Sequence, residues 1–121
     1  MIDIKKLYDT RFSALERVKK QKLWKRLCQD FLQQFINASD TVVDVGAGQC
    51  EFINNISCRK KIVIDINPDT KTFADSDVRV IISSIKHIKE SLRQGSADVI
   101  FMSNLLEHLE SKEEVFRLLH E

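Results

Sequence analysis

Apolar positions along the chain follow two rhythms. In the first third, Trp24, Leu27, Cys28, Phe31, Leu32 and Phe35 recur at steps of three and four, which predicts an amphipathic helix running to about Ile36. Its start is read at Ser13-Ala14-Leu15-Glu16, where a hydroxyl and a carboxylate stand three residues apart and can satisfy the free amides of a first turn. Asn37 to Asp40 closes it. From Thr41 the texture changes to short β-branched runs: Thr41 to Val45, Lys61 to Ile66, Val78 to Ile82 and Ala97 to Met102. Runs apolar on both faces suit a parallel sheet covered by helices on each side. Helical candidates separate them at Glu51 to Ser57, Thr70 to Ala74 and Ile85 to Leu92. A last helix begins at a second capping pattern, Ser111-Lys112-Glu113-Glu114, and continues to the end. Alternating strand and helix predicts the α/β class.

Composition narrows this picture without redirecting it. A length of 121 residues suits one domain. With 19 basic and 18 acidic residues the net charge is +1, which gives no case for nucleic acid or an anionic membrane as partner. Lys19, Lys20, Lys22, Lys25 and Arg26 crowd one stretch and read as a solvated helix face. No apolar run approaches the roughly 20 residues of a membrane span, and the N-terminus lacks the apolar core of a signal peptide, so a cytoplasmic protein is expected. Three cysteines (Cys28, Cys50 and Cys58) without a Cys-x-x-Cys pair predict reduced thiols rather than disulfides or a zinc site.

The chemistry concentrates at "VVDVGAGQCEF", residues 42–52. A glycine-rich turn after a strand lets a ligand approach the backbone closely. A dinucleotide fingerprint wants a third glycine where Glu51 stands, and an acid there sits badly against a pyrophosphate. A phosphate-binding P-loop fails for want of Gly-Lys-Ser/Thr. Two acids flank the turn: Asp44 late in the first strand, and Asp65 late in the second, in "IVIDINPD". An acid at the end of the second strand is placed to accept from both hydroxyls of a ribose. A ligand carrying an adenosine and a positive charge, but no phosphate, suits the arrangement.

On these motifs the chain resembles class I S-adenosylmethionine-dependent methyltransferases of the stand-alone bacterial type. "VVDVGAGQCEF" looks like their first motif, "IVIDINPD" their second and "SADVIFMSNLLEHL" their fourth-strand motif, a likeness extending over residues 8–121. It implies a Rossmann-like fold with a parallel sheet in the order 3-2-1-4, flanked by helices. Residues 1–37 would form a helical segment covering the cofactor site and residues 38–121 the cofactor-binding half. S-adenosylmethionine would be the cofactor and S-adenosylhomocysteine the product. Asp44 and the backbone of Val45, Gly46, Ala47 and Gly48 would meet the methionine part; Asp65 would hold the ribose and Ile66 would lie against the adenine. Where the family usually has an acid for the adenine amino group, this chain has Ser83 or Ser84, a weaker acceptor.

Ser103 and Asn104 would face the methyl group. In relatives with a Glu-x-x-Glu-His pattern acids and histidine hold a metal; Asn104 replaces the first acid, so no metal is expected. His108 reads either as a general base or as a residue ordering the loop before the last helix. Tyr8, Arg11 and Phe12 read either as a cover over the cofactor or as a helix-entry cluster. The resemblance further implies that the half shaping the acceptor site is missing, leaving "DVIFM" as a bare edge. A trimmed chain, a truncated gene product and a protomer that covers its edge by forming a homo-oligomer all account for this, and a fragment is the expectation. The function implied is methyl transfer to a small molecule, for which a sugar or cell-envelope precursor is the expected class. A non-catalytic S-adenosylmethionine-binding module or partner-completing subunit is the alternative.

Overall fold

The computed structural model describes residues 4–103 and 112–121, with side chains at 14–103 and 113–121. A long helix, α1 (Ile4–Asp30), leads into a short 3-10 turn at Leu32–Phe35 and then into the sheet. β1 (Thr41–Val45), β2 (Lys60–Asp65), β3 (Val78–Ile82) and β4 (Val99–Met102) are joined by α2 (Thr70–Phe73) and α3 (Ile88–Ser91), and α4 (Lys112–His120) closes the described chain. All pairings are parallel, in the order β3-β2-β1-β4. The α/β class and the strand order expected from sequence are both observed.

Strand alternation sends side chains to two separate cores. Val42, Val63, Val80, Val99 and Phe101 belong to the core under α1, joined by Trp24, Cys28 and Leu32. Val43, Val45, Ile62, Ile64, Ile81 and Ile100 belong to the core covered by Ile85 and Ile88 near α3 and by Val115 of α4. β1 is buried at all five positions because strands flank both its edges and helices both its faces. β4 pairs with β1 on one side, and its four residues are only half-buried.

Four local expectations are corrected. The first helix does not begin at Ser13: α1 runs continuously from Ile4. Residues 4–12 contain neither glycine nor proline, so nothing halts the helix, and a capping pattern inside a helical stretch has no free amides to cap. The apolar stripe is only partly buried, since Trp24, Cys28 and Leu32 face the sheet while Leu27, Phe31 and Phe35 are exposed. The helix predicted at Glu51 to Ser57 is a single 3-10 turn, Ile53–Asn55. Its asparagines are engaged elsewhere: Asn55 Nδ2 donates to Glu51 O (2.6 Å), Asn54 Nδ2 donates to Phe73 O (2.8 Å), and Asn54 Oδ1 accepts from Asp75 N (3.0 Å). Such side-chain bonds compete with helix propagation. The predicted Ile85 to Leu92 helix is a 3-10 turn capped by Ser84 that runs into α3. The capping pattern at Ser111 lies outside the described residues.

Ile53 is fully buried under α1, whereas Leu23 on the same helix is 67% exposed. Ile53→Ala is expected to lower unfolding stability by roughly 2–4 kcal/mol, and Leu23→Ala to change it by less than about 0.5 kcal/mol. Urea titration followed by circular dichroism checks both.

Candidate functional site

The site grows from the carboxyl end of β1. Gly46 N–H donates to Ile64 O at 2.8 Å, carrying the β1–β2 ladder one residue past the strand. The chain then turns with Gly46 at φ 74° and Gly48 at φ 56°. Residues with a Cβ rarely adopt this left-handed region, which explains two glycines so close together. A Cβ added at Gly48 would meet nothing within 4 Å, so one face of this turn is open. Cys50 sits at φ 62°, the one non-glycine residue in that region among those described. Its thiol is wholly buried with Sγ 3.9 Å from Thr70 O, and burial foremost, with Asp44 next, pushes it up to about 12. It is a packed group, not a nucleophile.

Three carboxylates gather around the turn. Asp44 is 2% exposed, shares the α1-facing side of β1 with Val42, and receives no hydrogen bond from the described residues. Burial, then the charges of Asp65 and Glu51, raise its carboxyl to about 7. Asp65 accepts from Gly48 N through Oδ2 and from Asn67 N through Oδ1, each at 2.9 Å. That leaves each oxygen a free lone pair and ties the second strand to the turn. Glu51 has a side chain only 10% exposed, and its Oε1 is sealed from solvent without a hydrogen-bond donor among the described residues. Lys20 Nζ stands 3.3 Å from that oxygen, within ion-pairing range but not aligned as a hydrogen bond. No set of three such groups among the described residues is spaced to hold a metal ion.

Asp44 and Glu51 line a cleft of about 240 Å³, which Asp65 adjoins through Gly48. Lys20 and Trp24 come from α1; Asp44, Gly46 to Gln49 and Glu51 from the turn region; Phe52, Phe101 and Ser103 complete it. Phe101 lies opposite Asp44 in the β1–β4 register, stacks on Phe52 (centroids 3.8 Å apart, 17° between planes) and meets Trp24 edge-on at 6.1 Å. This aromatic wall keeps the acids dry on one side. A larger cleft, about 340 Å³, lies on the opposite sheet face between α3 and α4 and contains none of the glycine-turn residues.

Of the residues expected from sequence, Asp44, Gly46, Ala47, Gly48 and Ser103 line the cleft. Val45 offers only backbone, its side chain belonging to the opposite core. Asp65 adjoins through Gly48, and Ile66 beside it is 73% exposed. Ser84 lies two residues past β3 and outside the cleft lining, capping the next 3-10 turn with its Oγ accepting from Lys86 N at 3.3 Å. Tyr8, Arg11 and Phe12 lie on the continuous α1, roughly 12–18 Å beyond Lys20 along the axis, at 1.5 Å per residue. Asn104 and His108 lie outside the described residues. Sequence reasoning did not place Lys20, Trp24, Phe52 or Phe101 at the site, and it used Glu51 only to exclude a dinucleotide. The four-residue step from Lys20 to Trp24, which puts both on one helix face, was the available signal.

Raising a carboxyl's folded pKa makes the native state hold protons that the unfolded chain has lost. Asp44 therefore subtracts stability as pH rises from about 4 through about 7. Asp44→Asn is expected to gain on the order of 3 kcal/mol over the parent at pH 8 and almost nothing at pH 4. Thermal unfolding across that range measures the difference.

Residues 43–121 match the family described as "Methyltransferase domain". No curated protein matches the chain. Among solved structures, a SAM dependent methyltransferase from Archaeoglobus fulgidus superposes with a TM-score of 0.65 at 24% identity. The match covers 83% of this chain and 47% of that one, so the chain spans about half the length of its structural relative.

Proposed function

The chain belongs to the methyltransferase domain family, and on that premise we propose that it binds S-adenosylmethionine at the glycine turn and directs its methyl group to a small molecule. One observation carries the reading: two acids, Asp44 and Glu51, line a cleft at the carboxyl ends of parallel strands with Lys20 the one base in its lining among the described residues, and a third acid, Asp65, adjoins it through Gly48. Ligands of open α/β sheets bind at such strand ends. The residues fit this cofactor. An orphaned buried carboxylate oxygen at Glu51 and a proton-retaining Asp44 call for positive charge, and the open face above Gly48 admits close approach. The same acids oppose a pyrophosphate.

In this reading Asp65 accepts from the ribose hydroxyls with its free lone pairs, and the exposed Ile66 offers an apolar face to the adenine. Ser84 stands on the adenine side as a neutral acceptor. The backbone of Val45 to Gly48 lies along the methionine part, and Asp44 faces its positive charge. The bound sulfonium supplies an already activated methyl group. The protein's task is then to hold acceptor, methyl carbon and sulfur in line and to exclude water. The aromatic wall of Trp24, Phe52 and Phe101 supports the second role. Ser103 and Asn104 are proposed to face the methyl group, His108 to take a proton where the acceptor must lose one, and Tyr8, Arg11 and Phe12 to cover the cofactor from α1. A sugar or cell-envelope precursor is the proposed acceptor class.

Asp65→Asn keeps the side chain's shape and removes its charge. Affinity for S-adenosylmethionine and S-adenosylhomocysteine is expected to fall together by roughly ten- to a hundredfold, the scale of two weakened charge-assisted hydrogen bonds. Calorimetric titration reads this directly, and an unchanged affinity removes Asp65 from the site. Radiolabelled methyl transfer to a panel of sugars and cell-envelope precursors tests the acceptor. Tight binding without transfer to any of them favours a non-catalytic binding module.

A further inference from the structure

The cleft is too small to hold a nucleoside and an amino-acid end together: about 240 Å³ lies below the roughly 300–1,000 Å³ of a drug-sized site. Asp65 and Ile66 stand outside its lining, on the far side of Gly48. If the nucleoside takes that outer ledge, the charged end of the ligand enters the cleft, where Lys20, Trp24 and Glu51 await it. Glu51 is the unusual member. Nine-tenths of its side chain is buried, and among the described residues Oε1 has a cation at 3.3 Å but no donor aligned with it. A carboxylate so enclosed needs a hydrogen-bonded cation. Lys20 fills the role poorly, because its side chain is half exposed and misaligned.

We infer that Glu51 is a binding residue for the ammonium group of the ligand, and that Lys20 is a resident alkylammonium which the ligand displaces from it. The inference rests on the cofactor reading above and adds to it a residue and an exchange. An alkylammonium already reaches this oxygen, so the space for one exists. Lys20 can leave at little cost, since more than half of its side chain is already in solvent and it stands on the surface of α1. Trp24, one turn further along α1, stays packed on Phe101 while Lys20 moves. Glu51 thus selects for a ligand that carries an amine at its charged end.

Three ligands separate the possibilities: S-adenosylmethionine, S-adenosylhomocysteine, which keeps the ammonium without the sulfonium, and 5′-methylthioadenosine, which has neither. Calorimetric titration of the full chain is the measurement, with circular dichroism confirming that each variant folds. Glu51→Gln is expected to weaken the first two ligands by the same factor, about tenfold, and to leave methylthioadenosine unchanged. Lys20→Met is expected to tighten the first two about threefold, and to do nothing when Glu51→Gln is also present. Equal weakening of all three ligands by Glu51→Gln, or weaker binding by Lys20→Met, overturns the exchange while leaving the cofactor reading intact. Failure of the parent chain and both variants to bind any of the three overturns the cofactor reading and the exchange with it.

Discussion

Burial of the Asp44 carboxylate in the middle strand of a parallel sheet is the constraint on which the rest of the site depends. β1 is hydrogen-bonded on both edges and covered on both faces, and every other residue in it except Thr41 is apolar. An acid in that position gives up most of its water and gains no donor among the described residues, and it responds by holding its proton up to about pH 7. Apolar packing around Val42, Val43, Val45, Val63 and Ile64 must offset that penalty. A protein gains nothing in stability from such a group, so its value lies in what can approach it.

Everything around Asp44 sharpens the same electrostatic demand. Asp65 is tied to the turn by Gly48 N–H, Glu51 follows the left-handed step at Cys50, and the stacked Phe52 and Phe101 form an apolar wall of the same cleft. Low local dielectric strengthens repulsion among the acids and equally strengthens attraction to a cation entering between them. Lys20 is a partial answer to that demand. α1 therefore connects the core to the site: Cys28 anchors it against the sheet, Trp24 joins the aromatic wall, and Lys20 reaches the acids.

The sheet was legible in the sequence because its signal is local. Strands buried on both faces must be apolar throughout, and β1 and β3 fall at the residues their β-branched runs mark. The two glycines and two acids were legible for a similar reason: left-handed turns need glycine, and a strand-end acid in an apolar run has few structural uses. What escaped depends on contacts between distant residues. Glu51 acquires its role only when Lys20 is brought across from α1, and Phe101 only when β4 pairs beside Asp44. The helix expected after the turn gave way to asparagine side-chain bonds with the segment at Phe73 and Asp75, which no local periodicity reveals. Ser13-x-x-Glu16 misled because the pattern describes a helix start only where the preceding chain is not itself helical.

The most direct test of a cleft built for a cation is the count of protons released when one enters. S-adenosylmethionine is titrated into the chain calorimetrically at pH 7, in buffers of widely different ionisation heat. A positive charge beside Asp44 lowers its pKa, so up to about half a proton per cofactor should be released, and less with S-adenosylhomocysteine, which lacks the sulfonium. Binding with the same proton count for both ligands, or with none released, contradicts the account.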